Sequence, residues 1–139
     1  MSALLLDTHA WIWLMAGNPR LGVQARSAIQ QAANENLLYV SAISPWEVAM
    51  LVSKERLILN RDVGEWVQEA LSQSGIRLKP LSPEVAVAST RLSGSVHPDP
   101  ADRIIVATAR HLDATLVTDD RLLLDYGSAG HLSVLVAGR

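Results

Sequence analysis

The chain has 139 residues, 49% of them hydrophobic and 19% charged, and a formal net charge of −2. That is one ordinary domain, residues 1–139, able to bury a core and too apolar to be disordered. The charge excludes a general attraction to nucleic acid, and the absence of cysteine excludes disulfides and thiolate–metal sites and fits a reducing cytosol.

The start, Met1-Ser2-Ala3-Leu4-Leu5-Leu6-Asp7, lacks a basic segment and meets an acid at once, unlike a signal peptide. No apolar run approaches the ~18–20 residues that span a bilayer, so no membrane partner is expected. Ala3–Leu6 reads as a buried strand, and His9 lies on a helix start. Trp11 and Trp13 stand two apart, so on a helix they cannot share a face. At least one of them is expected to be exposed and to suit a protein partner. Leu21–Ala33 has helical spacing, and Leu37–Val40 is a short extended stretch. Pro45–Arg56 and Val63–Ser72 are expected helices. Lys54, Arg56 and Arg61 form a basic cluster that is most simply a solvated surface. Ile76–Leu81 alternates apolar and basic residues, as a strand with one wet face does. Pro83–Leu92 is helical, and Pro100–Leu112 carries a clear apolar stripe. Ala114–Thr118 is a strand, Arg121–Asp125 a short helix and Ser133–Ala137 a last strand. Strands separated by helices imply an α/β fold in three layers, with a central, mainly parallel sheet.

In such sheets ligands gather at the carboxyl ends of the strands. Asp7 follows one apolar strand, and Asp119 and Asp120 follow another. Two further acids open helices. Ser44-Pro45-Trp46-Glu47 and Asp99-Pro100-Ala101-Asp102 each place an acid at the third helical position. Helix starts and strand ends share one edge, so Asp7, Glu47, Asp102 and Asp120 are expected to converge.

Taken singly, each acid has an ordinary structural explanation. Glu47 completes a capping box with Ser44. Asp102 suits its helix dipole, Asp99 is an N-cap, and Asp7 and Asp120 suit turns. Ser82-Pro83-Glu84-Val85 starts a helix with Val at the third position, so an acid there is not required. Together, four converging carboxylates repel and call for cations. Hard divalent ions with oxygen ligands meet that need and suit phosphodiester hydrolysis. His9, His97, His111 and His131 share no metal-ligand spacing, and no Gly-rich phosphate loop or G-x-S-x-G is present.

Leu5-Leu6-Asp7-Thr8-His9-Ala10, Val40-Ser41-Ala42-Ile43-Ser44-Pro45-Trp46-Glu47, Asp99-Pro100-Ala101-Asp102-Arg103 and Leu116-Val117-Thr118-Asp119-Asp120 resemble, in order and spacing, the motifs of PIN-domain nucleases. The similarity is strongest to the VapC-like toxins of toxin–antitoxin pairs. It covers essentially the whole chain. It implies a cytoplasmic, Mg²⁺- or Mn²⁺-dependent endoribonuclease, usually a homodimer, held in check by a small antitoxin. By position Asp7, Glu47, Asp102 and Asp120 match the family's acids, as metal ligands and catalytic groups, and Asp119 rivals Asp120. Thr118 matches the hydroxyl beside the fourth acid. His9 is placed to hydrogen-bond near substrate. Arg103 either pairs with a neighbouring acid, the preferred reading, or touches phosphate. Leu51 stands where this branch often has Lys, which puts a phosphate contact in doubt.

Two other readings compete. An α/β phosphatase also places Asp after its first strand, but the haloacid-dehalogenase type needs a second Asp where His9 stands. A response-regulator receiver needs an acidic pair near its start and a late Lys, and has neither here. A degenerate PIN fold that only binds RNA or protein is opposed by the intact set of four acids.

Overall fold

The computed structural model describes residues 2–94 and 98–139, so Met1 and His97 lie outside the described residues. In chain order the elements are β1 (Leu4–Leu6), α1 (Thr8–Ala16), α2 (Val23–Asn34), β2 (Leu38–Ser41), α3 (Ile43–Ser53), α4 (Val63–Leu71), β3 (Ile76–Lys79), α5 (Pro83–Ala88), α6 (Pro100–Leu112), β4 (Thr115–Thr118), α7 (Arg121–Ser128) and β5 (Val134–Val136). The sheet has the order β3-β2-β1-β4-β5, and every pairing is parallel.

Three layers follow from the period-two alternation of the strands. Leu4, Leu6, Leu38, Val40 and Val117 face one core with Trp11 of α1, Ile29 of α2, Val48 of α3 and Ala70 of α4. Leu5 and Leu116 face the other, with Ile105 and Val106 of α6 and Leu123 and Tyr126 of α7. β1 is thus buried on both sides, as an apolar run in the middle of a parallel sheet should be.

The chain leaves β1 for β2 and β3 on one side, then returns to β4 and β5 on the other. The switch point lies between β1 and β4, which pair as Leu4 with Thr115, Leu5 with Leu116 and Leu6 with Val117. In open α/β sheets the crevice beyond the strand ends opens at such a point.

Some expectations need correction. The stretch Thr8–Ala16 is a full helix, α1, for which the sequence signalled only a start. Helix α3 begins at Ile43, and Ala42 caps it with no side-chain bond. The Ser41 hydroxyl instead accepts from Ile43 N at 3.2 Å. Pro45 is therefore at the third position, Ser44 is not a cap, and the capping box does not form. The helix also stops at Ser53: Glu55 takes a left-handed φ of 59° and Arg56 N returns to Leu51 O at 2.9 Å. β3 lacks the expected wet and dry faces, because it is an edge strand in which both Arg77 and Leu78 are exposed. α5 ends at Ala88 rather than Leu92, while α7 runs on past Asp125 to Ser128.

Candidate active site

Asp7 emerges where β1 ends, in the interior, and is only 6% exposed. It caps α1, its Oδ1 accepting from Ala10 N at 2.8 Å. Its Oδ2 accepts from the Thr118 hydroxyl at 2.5 Å, and Thr118 Oγ1 accepts from Asp120 N at 3.0 Å. One hydroxyl at the end of β4 thereby ties Asp7 to Asp120 across the switch point. Burial pushes the Asp7 carboxyl above the ordinary carboxylate range. The bonds from Thr118 and Ala10 and the charge of His9 oppose that rise, and the charge of Asp120 adds to it.

Glu47 sits in the second turn of α3, half-buried. Thr8 Oγ1 lies 2.5 Å from Glu47 Oε1 and 2.9 Å from Ser44 Oγ. So Ser44 and Thr8 form a hydroxyl chain ending on the carboxylate. Burial raises the Glu47 carboxyl as well. The Thr8 bond lowers it, and the charges of Asp99 and Asp7 raise it further. Thr8 was missed at the sequence level. Its one signal was its place directly after Asp7.

Asp102 stands at the third position of α6, behind Pro100 and the N-cap Asp99, whose Oδ1 accepts from Ala101 N at 2.8 Å. Asp120 caps α7, with Oδ1 accepting from Leu122 N at 2.9 Å and Leu123 N at 3.2 Å. Asp119 is more exposed, and its Oδ1 accepts from Gly138 N at 2.8 Å.

Asp7, Glu47, Asp102, Asp120 and His9 line one cleft of about 460 Å³, with Thr8, Trp13, Leu51, Asp99 and Asp119. Thr118 lies beneath it, fully buried. Arg103 is half-buried one residue beyond Asp102 and is not among the described lining residues. His111 lies in the last turn of α6, and His131 stacks on Tyr126 at 4.7 Å, so neither joins His9. Lys54 and Arg56 are exposed beyond α3, and Arg61 pairs with Glu69. A wider groove of about 640 Å³ between α5 and α6 carries one described carboxylate, Glu84. The carboxylate chemistry lies in the smaller cleft.

The carboxylates offer oxygen donors only, which suits Mg²⁺ or Mn²⁺ rather than zinc, and His9 is the one imidazole among the described lining residues. A divalent cation would also relieve the penalty of keeping Asp7 and Glu47 ionised and buried. Among the described residues, no three acids or imidazoles converge tightly enough to hold an ion by themselves. Water would have to complete the shell, as it usually does around Mg²⁺.

The PIN domain matches residues 4–128. Ribonuclease VapC22 of Mycobacterium tuberculosis is 39% identical over 123 residues, 88% of this chain and 91% of the relative. In structure, VapBC2 of Rickettsia felis bound to a promoter DNA fragment aligns with a TM-score of 0.70 at 18% identity, covering 96% of this chain and 97% of the other. FitAcB of Neisseria gonorrhoeae aligns with a TM-score of 0.63 at 23% identity, over 96% and 97%. These two likenesses show the shared fold. Family match and identity together place the chain in the PIN-domain family, among the VapC-like ribonucleases.

Proposed function

We propose that the chain is the toxin of a toxin–antitoxin pair, an endoribonuclease whose Mg²⁺ or Mn²⁺ is held by Asp7, Glu47, Asp102 and Asp120. The carrying observation is that acids far apart in sequence line one cleft at the switch point, with Asp7 buried at its base. When bound, the metal acidifies water and offsets charge on the scissile phosphate. The protein's part is placement. Thr118 fixes the Asp7 carboxylate, Thr8 fixes Glu47, and the caps of α6 and α7 fix Asp102 and Asp120. Asp120 is preferred to Asp119 because it shares Thr118 with Asp7, whereas Asp119 is tied to Gly138. His9 reaches substrate from the cleft wall. Arg103 is not among the described residues lining the cleft and is not assigned to phosphate. Leu51 lines the cleft four residues after Glu47 and can neutralise no phosphate there.

The test uses a single-stranded oligoribonucleotide. Cleavage should proceed in Mg²⁺ or Mn²⁺, stop in excess chelator and return when metal is restored. Glu47→Gln should abolish cleavage while shifting the melting temperature by only a few degrees, because no capping box is lost. Undiminished cleavage by metal-free protein in chelator would end this reading.

The working form is a cytoplasmic homodimer paired with a small antitoxin. Family membership supports this, and so do the exposed apolar side chains Trp46, Leu78, Leu81 and Val87. Neither Trp11, fully buried, nor Trp13, half-buried, is exposed as the sequence suggested; Trp46 is the most exposed of the indoles at 54%. Among the described residues no helix is long and apolar enough to cross a membrane. Light scattering should give twice the chain mass at micromolar concentration, and a monomer there would refute the dimer.

A further inference from the structure

RNA is a polyanion, yet the described residues lining the cleft include six carboxylates and no Lys or Arg. Attraction between opposite charges, the usual source of nucleic-acid affinity, is missing from the walls. Beyond the scissile phosphate, which a divalent cation would meet, a contact indifferent to charge can help hold the strand. The non-acidic lining is Thr8, His9, Trp13 and Leu51. Of these, Trp13 offers the broadest flat face, and stacking on an aromatic face is how single strands are held without sequence preference.

Trp13 is placed for that role by α1. Asp7 caps the helix, and His9 and Trp13 follow four residues apart on one side of it. Their rings lie 6.4 Å apart at 57°. Trp11 turns inward and is fully buried, whereas Trp13 is half-buried at the cleft. The helix then ends in a fixed turn. Gly17 takes a left-handed φ of 62°, and Asn18 N returns to Trp13 O at 2.9 Å. Arg20 N donates to Asn18 Oδ1 at 2.9 Å, and Arg26 holds Asn18 O at 2.6 Å. This turn brings the Arg20 guanidinium over one face of the Trp13 ring, 5.9 Å from its centre, so a stacked base would take the other face. From the catalytic acids outward, the α1 side therefore presents carboxylate, imidazole, indole and guanidinium in order.

Resting on the ribonuclease reading above, we propose that Trp13 is the base-stacking platform of the cleft and Arg20 the phosphate contact beside it. A nucleobase flanking the scissile bond lies on the indole, and the adjoining phosphate meets the guanidinium. A base must be unpaired to present its face. The contact thus calls for an unpaired base at this position, whichever base it is.

Steady-state cleavage of a labelled single-stranded oligoribonucleotide in Mn²⁺ tests the platform. Trp13→Ala should raise KM about ten- to a hundredfold, the range of one lost stacked base. kcat should stay within about threefold, because the carboxylates are untouched. Trp13→Phe should recover most of the loss, and Arg20→Ala should raise KM less than Trp13→Ala. A strand with one abasic nucleotide beside the cleaved bond should cost the wild type a similar factor and Trp13→Ala no more. That second measurement uses the unaltered protein, so it stands even if the alanine variant folds poorly. Wild-type protein that cuts normally, with KM indifferent to both the abasic site and Trp13→Ala, would overturn the platform alone and leave the indole to a protein partner. Wild-type protein that cuts no RNA in metal would sink the ribonuclease reading and the platform together.

Discussion

Asp7→Asn should abolish cleavage and leave a folded protein that is more stable than wild type when metal is removed. The activity loss follows from its proposed role as a metal ligand. Metal stabilisation of the transition state amounts to several kcal/mol, or about a thousandfold at 1.36 kcal/mol per decade. The stability gain follows from burial. Asp7 holds its proton in the folded state to a higher pH than the usual 3.8 of the unfolded chain. The fold is therefore stabilised as pH falls through the raised value, and above it carries the full penalty of a buried charge. Asparagine removes that penalty and can still accept from Ala10 N. In chelator, the variant should melt above wild type at neutral pH, with the gap closing as pH drops towards 4. Glu47 shifts the same way, so some pH dependence should survive in the variant. Thermal melts of both proteins across about pH 4–8, with activity measured in Mn²⁺, decide the matter. A variant that cleaves at the wild-type rate would remove Asp7 from the mechanism.

The largest loss of stability should come from Trp11→Ala. Trp11 is completely buried in the α1 core and meets Trp66 of α4 edge to face, with centroids 5.0 Å apart at 64°. Truncating a buried Trp costs about 3–5 kcal/mol, because transfer energy is lost and a cavity stays behind. Domains of this size have only about 5–15 kcal/mol in total, so the variant should lose much of its urea midpoint. Trp11→Phe should cost much less. The indole Nε1 is buried with no hydrogen-bond partner among the described residues, and removing an unsatisfied donor recovers about 1–3 kcal/mol against the smaller cavity. Activity should fall with Trp11→Ala too, since Trp11 lies in the helix that Asp7 caps. A midpoint within experimental error of wild type would show that α1 does not anchor the core.

How far the sequence foretold the molecule depended on where each residue's partners lay. α6 could be read almost to the residue, because Asp99 and Pro100 mark its start and a single apolar stripe fixes its inner face. α1 could not, because Trp11, Ile12, Trp13, Leu14 and Met15 surround the helix with apolar groups and leave no stripe. The same letters misled at Ser44-Pro45-Trp46-Glu47. They spell a capping box, but the chain turns into helix straight from β2, and Ser44 and Glu47 are joined instead through Thr8, more than thirty residues away in sequence. Asp7, Asp102 and Asp120 were legible because each stands where an apolar run or a helix cap places it at one edge, whereas Glu47 was found through a capping box that does not form. Their supports were not, because the Thr8–Glu47 and Thr118–Asp7 contacts have no local spacing to betray them. Trp13 was noticed as an indole, but its place in the cleft depended on which way α1 turns.

The strand order has a consequence for synthesis. β1 leaves the ribosome first, yet β4, its partner on one edge, is almost the last strand to be made, and the Thr118–Asp7 bond spans 111 residues. At about 5–20 residues per second, several seconds separate the two. During that interval a strand made only of leucines, buried along its whole length in the fold, has an open edge, the condition that invites pairing with other chains. Through the same interval Asp7 has neither Thr118 nor Asp120 beside it. A nascent chain is thus without Thr118 and Asp120, and so without the support they give Asp7, until β4 and the start of α7 have been made.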